Sequence, residues 1–463
     1  MVVLAVLVIA LALLWMILGF YLLVFVGLTG LALSLGNLLA FILLAAATGL
    51  ALLFAGSLLD RRLDRDLTAF IARTGPSPLR DRGLTRAYGL LVLSLLPYFL
   101  YLQGFALYVV LAVSMDVLRS VVENSQVPLI LLLGPAIIVV GTVVGIAIGM
   151  IRLVVLPTVE PVGLAVTADD DPFLWDLSQR AANSLGTQPA DVIVLTPEPG
   201  IGVSMPVGLF RVIFGGRRTL QIGLPSICGL RVDELAAILT HEYGHFGHRD
   251  AQWAAFIHAL GVSLLATLEA VPGPWSFGEQ PTILALVASL NPAYWTMRIF
   301  VALFFRLTAG FSRARETHAD LEAAARLGGR TFAGALLRVA ANDVVFRDLI
   351  EERDIPRLLA QREIIPGFLQ WMELIYRNEL GEVGLAAIEY KLFAAGRQHA
   401  STDSHPGLEE RIDATVRIRG DGLTDGRPVA ALFDDWRGTD ETLTRLYYRT
   451  RGWTIADERA APL

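Results

Sequence analysis

The hydrophobic pattern changes character three times along the chain. Residues 2–59 form a single apolar run with no Asp, Glu, Lys or Arg. At about 20 residues per span, such a run can cross a bilayer twice. Gly30, Ser34, Gly36 and Asn37 mark a turn inside it, which predicts helices near 3–27 and 38–58. A cleaved signal peptide fits poorly, because no basic segment precedes the run and the run is too long. Residues 60–86 then carry seven arginines against four aspartates. A short loop this rich in Arg is expected to stay in the cytoplasm. Two more charge-free stretches follow, 87–115 and 127–151, separated by a polar segment at 116–126. The fourth span would end at Arg152, on the same side as the basic loop.

Two later stretches repeat the apolar pattern less cleanly. Residues 254–270 are interrupted only by His258 and Glu269, and residues 281–307 only by Arg298 and Arg306. Pro272, Gly273 and Pro274 supply a turn between them, so a membrane hairpin is expected at 254–307, with a buried helical pair as the alternative because charges inside a span are costly. An even number of spans returns the chain to the cytoplasm.

From Val159 onward the pattern is that of a globular domain. Leu174, Leu177, Ala181 and Leu185 share one face of a predicted helix at 172–185, with Asp169–Asp171 available to cap it. Residues 191–196 read as a strand. The runs at 209–214 and 219–224 read as a hairpin around Gly215 to Arg218. A helix is expected at 232–249, with Leu235, Ile238 and Leu239 facing inward, and helical patterns dominate 311–397. The last residues, 456–463, read as a frayed tail.

Composition sharpens this division. The chain of 463 residues is 54% hydrophobic and 18% charged, against about 25% charged in ordinary soluble domains. A net charge of −6 without a basic block argues against a nucleic-acid partner. Cys228 is the only cysteine, which excludes an intramolecular disulfide.

The chemistry concentrates in His241-Glu242-Tyr243-Gly244-His245. Residues four apart share a helix face, so both imidazoles can reach one metal ion. Glu242 sits one step round, where its carboxylate can take a proton from a water on that ion. Gly244 lowers helix propensity by about 1 kcal/mol relative to Ala, which points to close packing at that position. A catalytic zinc site needs a third protein ligand and an open position. His248 is one candidate. Glu316 is the better one, because Glu316 and Asp320 lie four apart on a predicted helix, where Glu316 can ligate and Asp320 can accept the free N–H of a ligand imidazole. Alone, such a segment would be a solvated charged face.

These strings in this order, HEYGHFGHRD, SRARETHAD and DSHPGLEERI, resemble the HtpX-like membrane metallopeptidases, gluzincins related to the CAAX prenyl-protein endopeptidases. The similarity runs from about Asp169 to Ile412. The resemblance implies one Zn2+ per chain held by His241, His245 and Glu316, with Glu242 as general base. It implies that His405, before Pro406 and Gly407, donates a hydrogen bond to the developing oxyanion. One departure stands out: the family's Asn-Ala-Phe-like edge-strand stretch is replaced here by residues 197–204, with a substrate-binding edge expected near 202–206.

The expected fold is therefore a multi-pass α-helical membrane protein with an α+β zincin-like metallopeptidase domain, mostly helical with a small β-sheet. Residues 1–152 would form four transmembrane helices and residues 153–463 the metallopeptidase domain. The expected activity is zinc-dependent hydrolysis of peptide bonds in protein or peptide substrates associated with the membrane. The site would lie on the cytoplasmic face of the plasma membrane, in proteolytic processing or membrane-protein quality control. The rival from another class is a membrane scaffold or chaperone with a structural metal site. Glu242 speaks against it, since a structural site has no use for a spare carboxylate. A coupled transporter is disfavoured, because the four N-terminal spans hold no ionisable side chain of the kind such proteins use.

Overall fold

The computed structural model describes residues 1–14, 35–72, 81–123, 139–145, 147–148, 151, 161–204, 217–246, 251–273, 289–396, 406–420, 424–453 and 459–460. Three apolar helices open the chain: α1 (Val2–Leu14), α2 (Leu35–Ile71) and α3 (Arg82–Glu123). Both α2 and α3 are long and apolar enough to cross a membrane. Each also overruns its expected limits. The predicted loop at 60–86 is helical to Ile71 and again from Arg82, and the predicted polar break at 116–126 is helical as far as Glu123. The reason is local: the charged residues after Leu59 are competent helix formers, and Arg62 pairs with Asp66 one turn on (2.7 Å). Most of the expected fourth span, and much of the first, lie outside the described residues.

Next come β1 (Leu164–Val166), α4 (Pro172–Ser184), β2 (Val192–Thr196), β3 (Ile201–Ser204) and β4 (Thr219–Gly223). They build a mixed four-stranded sheet in the order β1-β2-β4-β3. β2 and β4 are parallel, while β1 and β3 each pair antiparallel at the flanks. The predicted hairpin around 215–218 cannot be followed, because 209–214 lies outside the described residues; β4 pairs instead with β2 and β3. β3 has no further neighbour among the described strands and forms an edge. Asp171 stands at the start of α4, yet its side chain does not cap that helix.

Among the described residues the longer helices that follow are α5 (Val232–Gly244), α6 (Ala251–Ala270), α7 (Pro292–Leu327), α8 (Gly329–Val344), α9 (Phe368–Ile375), α10 (Gly381–Gly396), α11 (Leu408–Thr415) and α12 (Trp436–Thr450). Residues 459–460, expected as part of a frayed tail, pair with 363–364. Two apolar cores matter for the site. One joins α1, α2, α3, α6 and the first half of α7, including Leu91, Leu260, Phe300 and Phe304. The other packs the sheet against α4, α5, α8, α12 and the second half of α7, including Ile193, Leu239, Ala323 and Phe332. A single helix, α7, belongs to both. Asn291 caps its start, accepting from the Ala293 N–H (3.0 Å), and Gly328 ends it at a φ of 93°. Of the expected hairpin at 254–307, α6 and the first half of α7 both pack into the first core, while residues 274–288 lie outside the described residues.

Candidate metal centre

The site is built where α5 crosses the middle of α7. α5 begins with the Glu234 carboxylate accepting the Arg231 N–H (2.9 Å), and its expected inner face, Leu235, Ile238 and Leu239, is buried. Its last turn is fixed from two sides. The Tyr243 hydroxyl, fully buried, meets Ser178 Oγ of α4 (2.7 Å) and accepts the Ala190 N–H (3.0 Å). On the other side Gly244 lies against α7: a Cβ there would stand 3.2 Å from both Cα and Cβ of Ala319. The glycine in the motif thus lets the two helices approach.

The helix expected to run to 249 stops at Gly244, so His245 occupies the cap position rather than the helix interior. Its backbone stays helical (φ −65°, ψ −16°), and Arg315 of α7 donates to its carbonyl (3.0 Å). The imidazole therefore keeps the face it would have had in a continuing helix. Ring centroids of His241 and His245 lie 4.9 Å apart.

Glu316 faces both imidazoles from α7. Its Oε2 is 3.7 Å from His241 Nε2 and its Oε1 is 3.3 Å from His245 Nε2. One ligand atom from each of the three residues falls within 4.8 Å of the others. Zinc ligands at about 2.0–2.1 Å in tetrahedral array lie about 3.4 Å apart, so the donor set fits that ion without rearrangement of the backbone. Burial and the neighbouring His241 charge push His245 down to about 3, leaving it neutral and able to ligate.

Behind these three side chains stands a buried charged cluster. Asp320 of α7 has no solvent exposure and lies 2.8 Å from His241 Nδ1, which turns Nε2 toward the centre. Arg411 of α11 donates to both Asp320 oxygens, from Nε (2.8 Å) and from Nη2 (2.7 Å). Burial alone would raise Asp320, but the hydrogen bonds from Arg411 and His241 and the guanidinium charge outweigh it and hold the carboxyl below its usual range. Burial likewise works to lower His241, and the Asp320 hydrogen bond and charge overcome it, so its pKa is raised. Phe332 of α8 stacks on the His241 ring at 5.8 Å.

Glu242 points the other way, toward the sheet edge. Its Oε1 is 3.9 Å from His241 Nε2, and it accepts the Val203 N–H of β3. Burial raises Glu242 to about 7, offset in part by His241 and Arg411 and reinforced by Glu316. At the start of the same strand a cavity of about 410 Å³ opens between Gly200, Ile201, α8 (Leu336, Val339), Leu408 and Arg411.

The structure thus brings His241, Glu242, His245, Glu316 and Asp320 together. His405 and His248 lie outside the described residues, as does the side chain of His258. Arg411 was not singled out from the sequence, although it stands in the third of the strings quoted above. A lone arginine in a charged helix carries no signal of burial until Asp320 is known to face it. Cys228 is buried away from the centre, and burial pushes its thiol up to about 12, which suits an inert residue.

Residues 221–418 match the model of peptidase family M48. The matched segment begins in β4 and ends just after α11, so it encloses every residue of the centre except the β3 edge. No curated protein and no solved structure matches the chain.

Proposed function

We propose that the chain, whose residues 221–418 match the model of peptidase family M48, is a membrane-embedded zinc endopeptidase cutting extended segments of membrane-associated proteins. The observation that carries this reading is the donor set itself: two imidazoles and a carboxylate of zinc spacing, with a spare carboxylate aimed at an open sheet edge. A bound zinc ion supplies a Lewis acid that acidifies a water and polarises the scissile carbonyl.

The remaining steps belong to side chains. A substrate strand adds to β3, whose free edge offers backbone partners alongside Glu242. An apolar side chain of that strand fits the cavity beside Leu336 and Val339. Glu242 takes a proton from the attacking water at its carboxylate, then delivers it to the amide nitrogen as the C–N bond breaks. Asp320 holds His241 in the ligating tautomer, and Arg411 keeps Asp320 ionised at the cost of no solvent contact. His405 is assigned the oxyanion donor, on the strength of its string Asp403-Ser404-His405-Pro406-Gly407.

The membrane assignment rests on α2 and α3, whose outward residues Leu43, Leu50, Phe54, Leu93 and Leu100 are exposed in a band that water would not tolerate. We assign the chain a multi-pass topology in the plasma membrane with the centre facing the cytoplasm, following the arginines at 61, 62, 65, 82 and 86. Its physiological role would be processing or quality control of membrane proteins.

The test uses the full chain purified in detergent, with casein as an unfolded substrate. The reading expects about one zinc per chain by elemental analysis, cleavage abolished by a chelator, and cleavage restored by zinc. Stoichiometric zinc without turnover would favour the scaffold alternative.

A further inference from the structure

The two halves of α7 lie in different surroundings, and the distance between them is fixed by one rigid helix. Four contacts give the register of α7 against its neighbours. Phe300 packs on Phe99 of α3 (5.2 Å between centroids) and Phe311 on Tyr88 (5.3 Å). A side chain at Gly310 would run into the Asp60 carboxylate of α2, and Phe70 stacks against His318 at 5.5 Å. α2 and α7 therefore run in parallel, with α3 antiparallel between the same levels.

The onset of charge on α2 and α3 marks the level of the bilayer face, with the outward apolar residues Phe54 of α2 (51% exposed) and Ile299 of α7 (64%) on its apolar side. Asp60 accepts from the Tyr88 hydroxyl (2.6 Å) and from Arg306 (3.3 Å), tying the first charged position of α2 to α3 and α7. Above it come Arg61, Arg62, Arg65, Arg82 and Arg86. An Asp–Arg–Tyr group of this kind, with long side chains reaching out of an apolar core, belongs at a bilayer face. That face crosses α7 between Arg306 and Gly310.

Glu316 lies six residues beyond Gly310 and ten beyond Arg306 on the same uninterrupted helix. At 1.5 Å per residue the metal centre stands about 9 to 15 Å above the face. An extended chain rising about 3.3 Å per residue covers that height in about three to five residues. We infer that α7 is a ruler: the enzyme selects membrane-anchored chains and cuts them about three to five residues out from the bilayer surface. The substrate class is thus a protein with a hydrophobic anchor and an extended stretch directly beside it. The inference rests on the peptidase and membrane readings above and adds the position of the cut.

The test reconstitutes the full chain in phospholipid vesicles with single-span reporters. Each carries one casein-derived segment that the detergent-purified enzyme cuts, placed 1, 3, 5, 7 or 10 residues from the end of the span. The free segment without a span serves as control. The ruler expects the one-residue reporter to be cut at least tenfold more slowly than the five-residue reporter. Mass spectrometry should show that no bond nearer the span than about three residues is cut in any reporter. Equal cleavage at one residue, or onset only at ten, overturns the ruler while leaving the peptidase reading intact. A free segment left uncut overturns the peptidase reading, and the ruler falls with it.

Discussion

The two halves of α7 treat polar groups in opposite ways. In the first half the core is apolar, with a few neutral polar pairs inside it and one ionic group at its rim: Asn291 with Thr142 and the Pro272 carbonyl, Gln103 with Thr296, and Asp60 with Tyr88 and Arg306. In the second half the interior itself is charged. His241, Asp320 and Arg411 are packed together with little or no solvent, and Glu242 and Glu316 lie alongside. A buried charge is costly unless paired and hydrogen-bonded, so the second half is held rigidly by the pairing it requires. The first half is held by apolar packing and tolerates change at its polar rim. One helix thus carries a site whose geometry is set by electrostatics on a support whose geometry is set by packing.

That contrast can be broken at its strongest point first. Glu316→Ala removes one of the three proposed ligands, and we expect zinc to be lost from the purified protein and casein cleavage to fall by at least about a thousandfold. Elemental analysis beside an activity assay reads both. Arg411→Met keeps the ligands but leaves Asp320 buried without its guanidinium, which should weaken zinc binding or activity by about 10–100-fold. Competition against a chelator of known affinity measures it. In the first half, Arg306→Met removes a pair whose arginine is 40% exposed, and Asp60 keeps its Tyr88 hydrogen bond. The expected cost is about 1 kcal/mol or less, with casein cleavage unchanged within about twofold. A large loss of activity there would erase the distinction between the halves.

The smallest effect concerns a buried carboxyl far from the metal. Asp440 of α12 accepts the Leu369 and Gln370 N–H groups at the start of α9 (3.0 and 3.1 Å). Burial nevertheless raises its pKa from 3.8 to about 6. A carboxyl whose folded pKa lies above its unfolded value binds its proton more tightly when folded. Its contribution is therefore fully present below about pH 4 and is lost as pH rises through about 6. Thermal unfolding of Asp440→Asn across pH 4 to 7 should show a flatter pH dependence than the wild type in that window.

The sequence made some of this legible and concealed the rest for identifiable reasons. The spacing of His241, Glu242 and His245 is local, so a helix brings them together with no knowledge of the fold, and the pair Glu316 and Asp320 is local in the same way. Arg411 is not local. Its partner lies 91 positions earlier, and nothing in the string Glu409-Glu410-Arg411 distinguishes a buried guanidinium from a solvated one. A sheet edge is expected near 202–206 although Pro197, Pro199, Gly200 and Gly202 blur the strand pattern there; β3 forms at Ile201–Ser204, where β4 pairs with it on one side and Glu242 accepts the Val203 N–H. The limits of α2 and α3 were misplaced for a related reason. Hydropathy reports where a helix leaves an apolar medium, whereas the helix itself continues for as long as its residues permit it. That overrun lets Phe70 reach His318 on the second half of α7.

The central claim is that Glu242, held between His241 and the β3 edge, moves the proton in peptide hydrolysis. The direct measurement compares casein cleavage by the wild type and by Glu242→Gln at matched zinc content. The amide keeps the size of the side chain and leaves all three ligands in place, so zinc should be retained. The account predicts that cleavage falls by about 10³-fold or more, beyond the 10²–10⁴ range of general-base effects only if proton delivery to the leaving amine is lost as well. Zinc retained with cleavage equal to that of the wild type would contradict it.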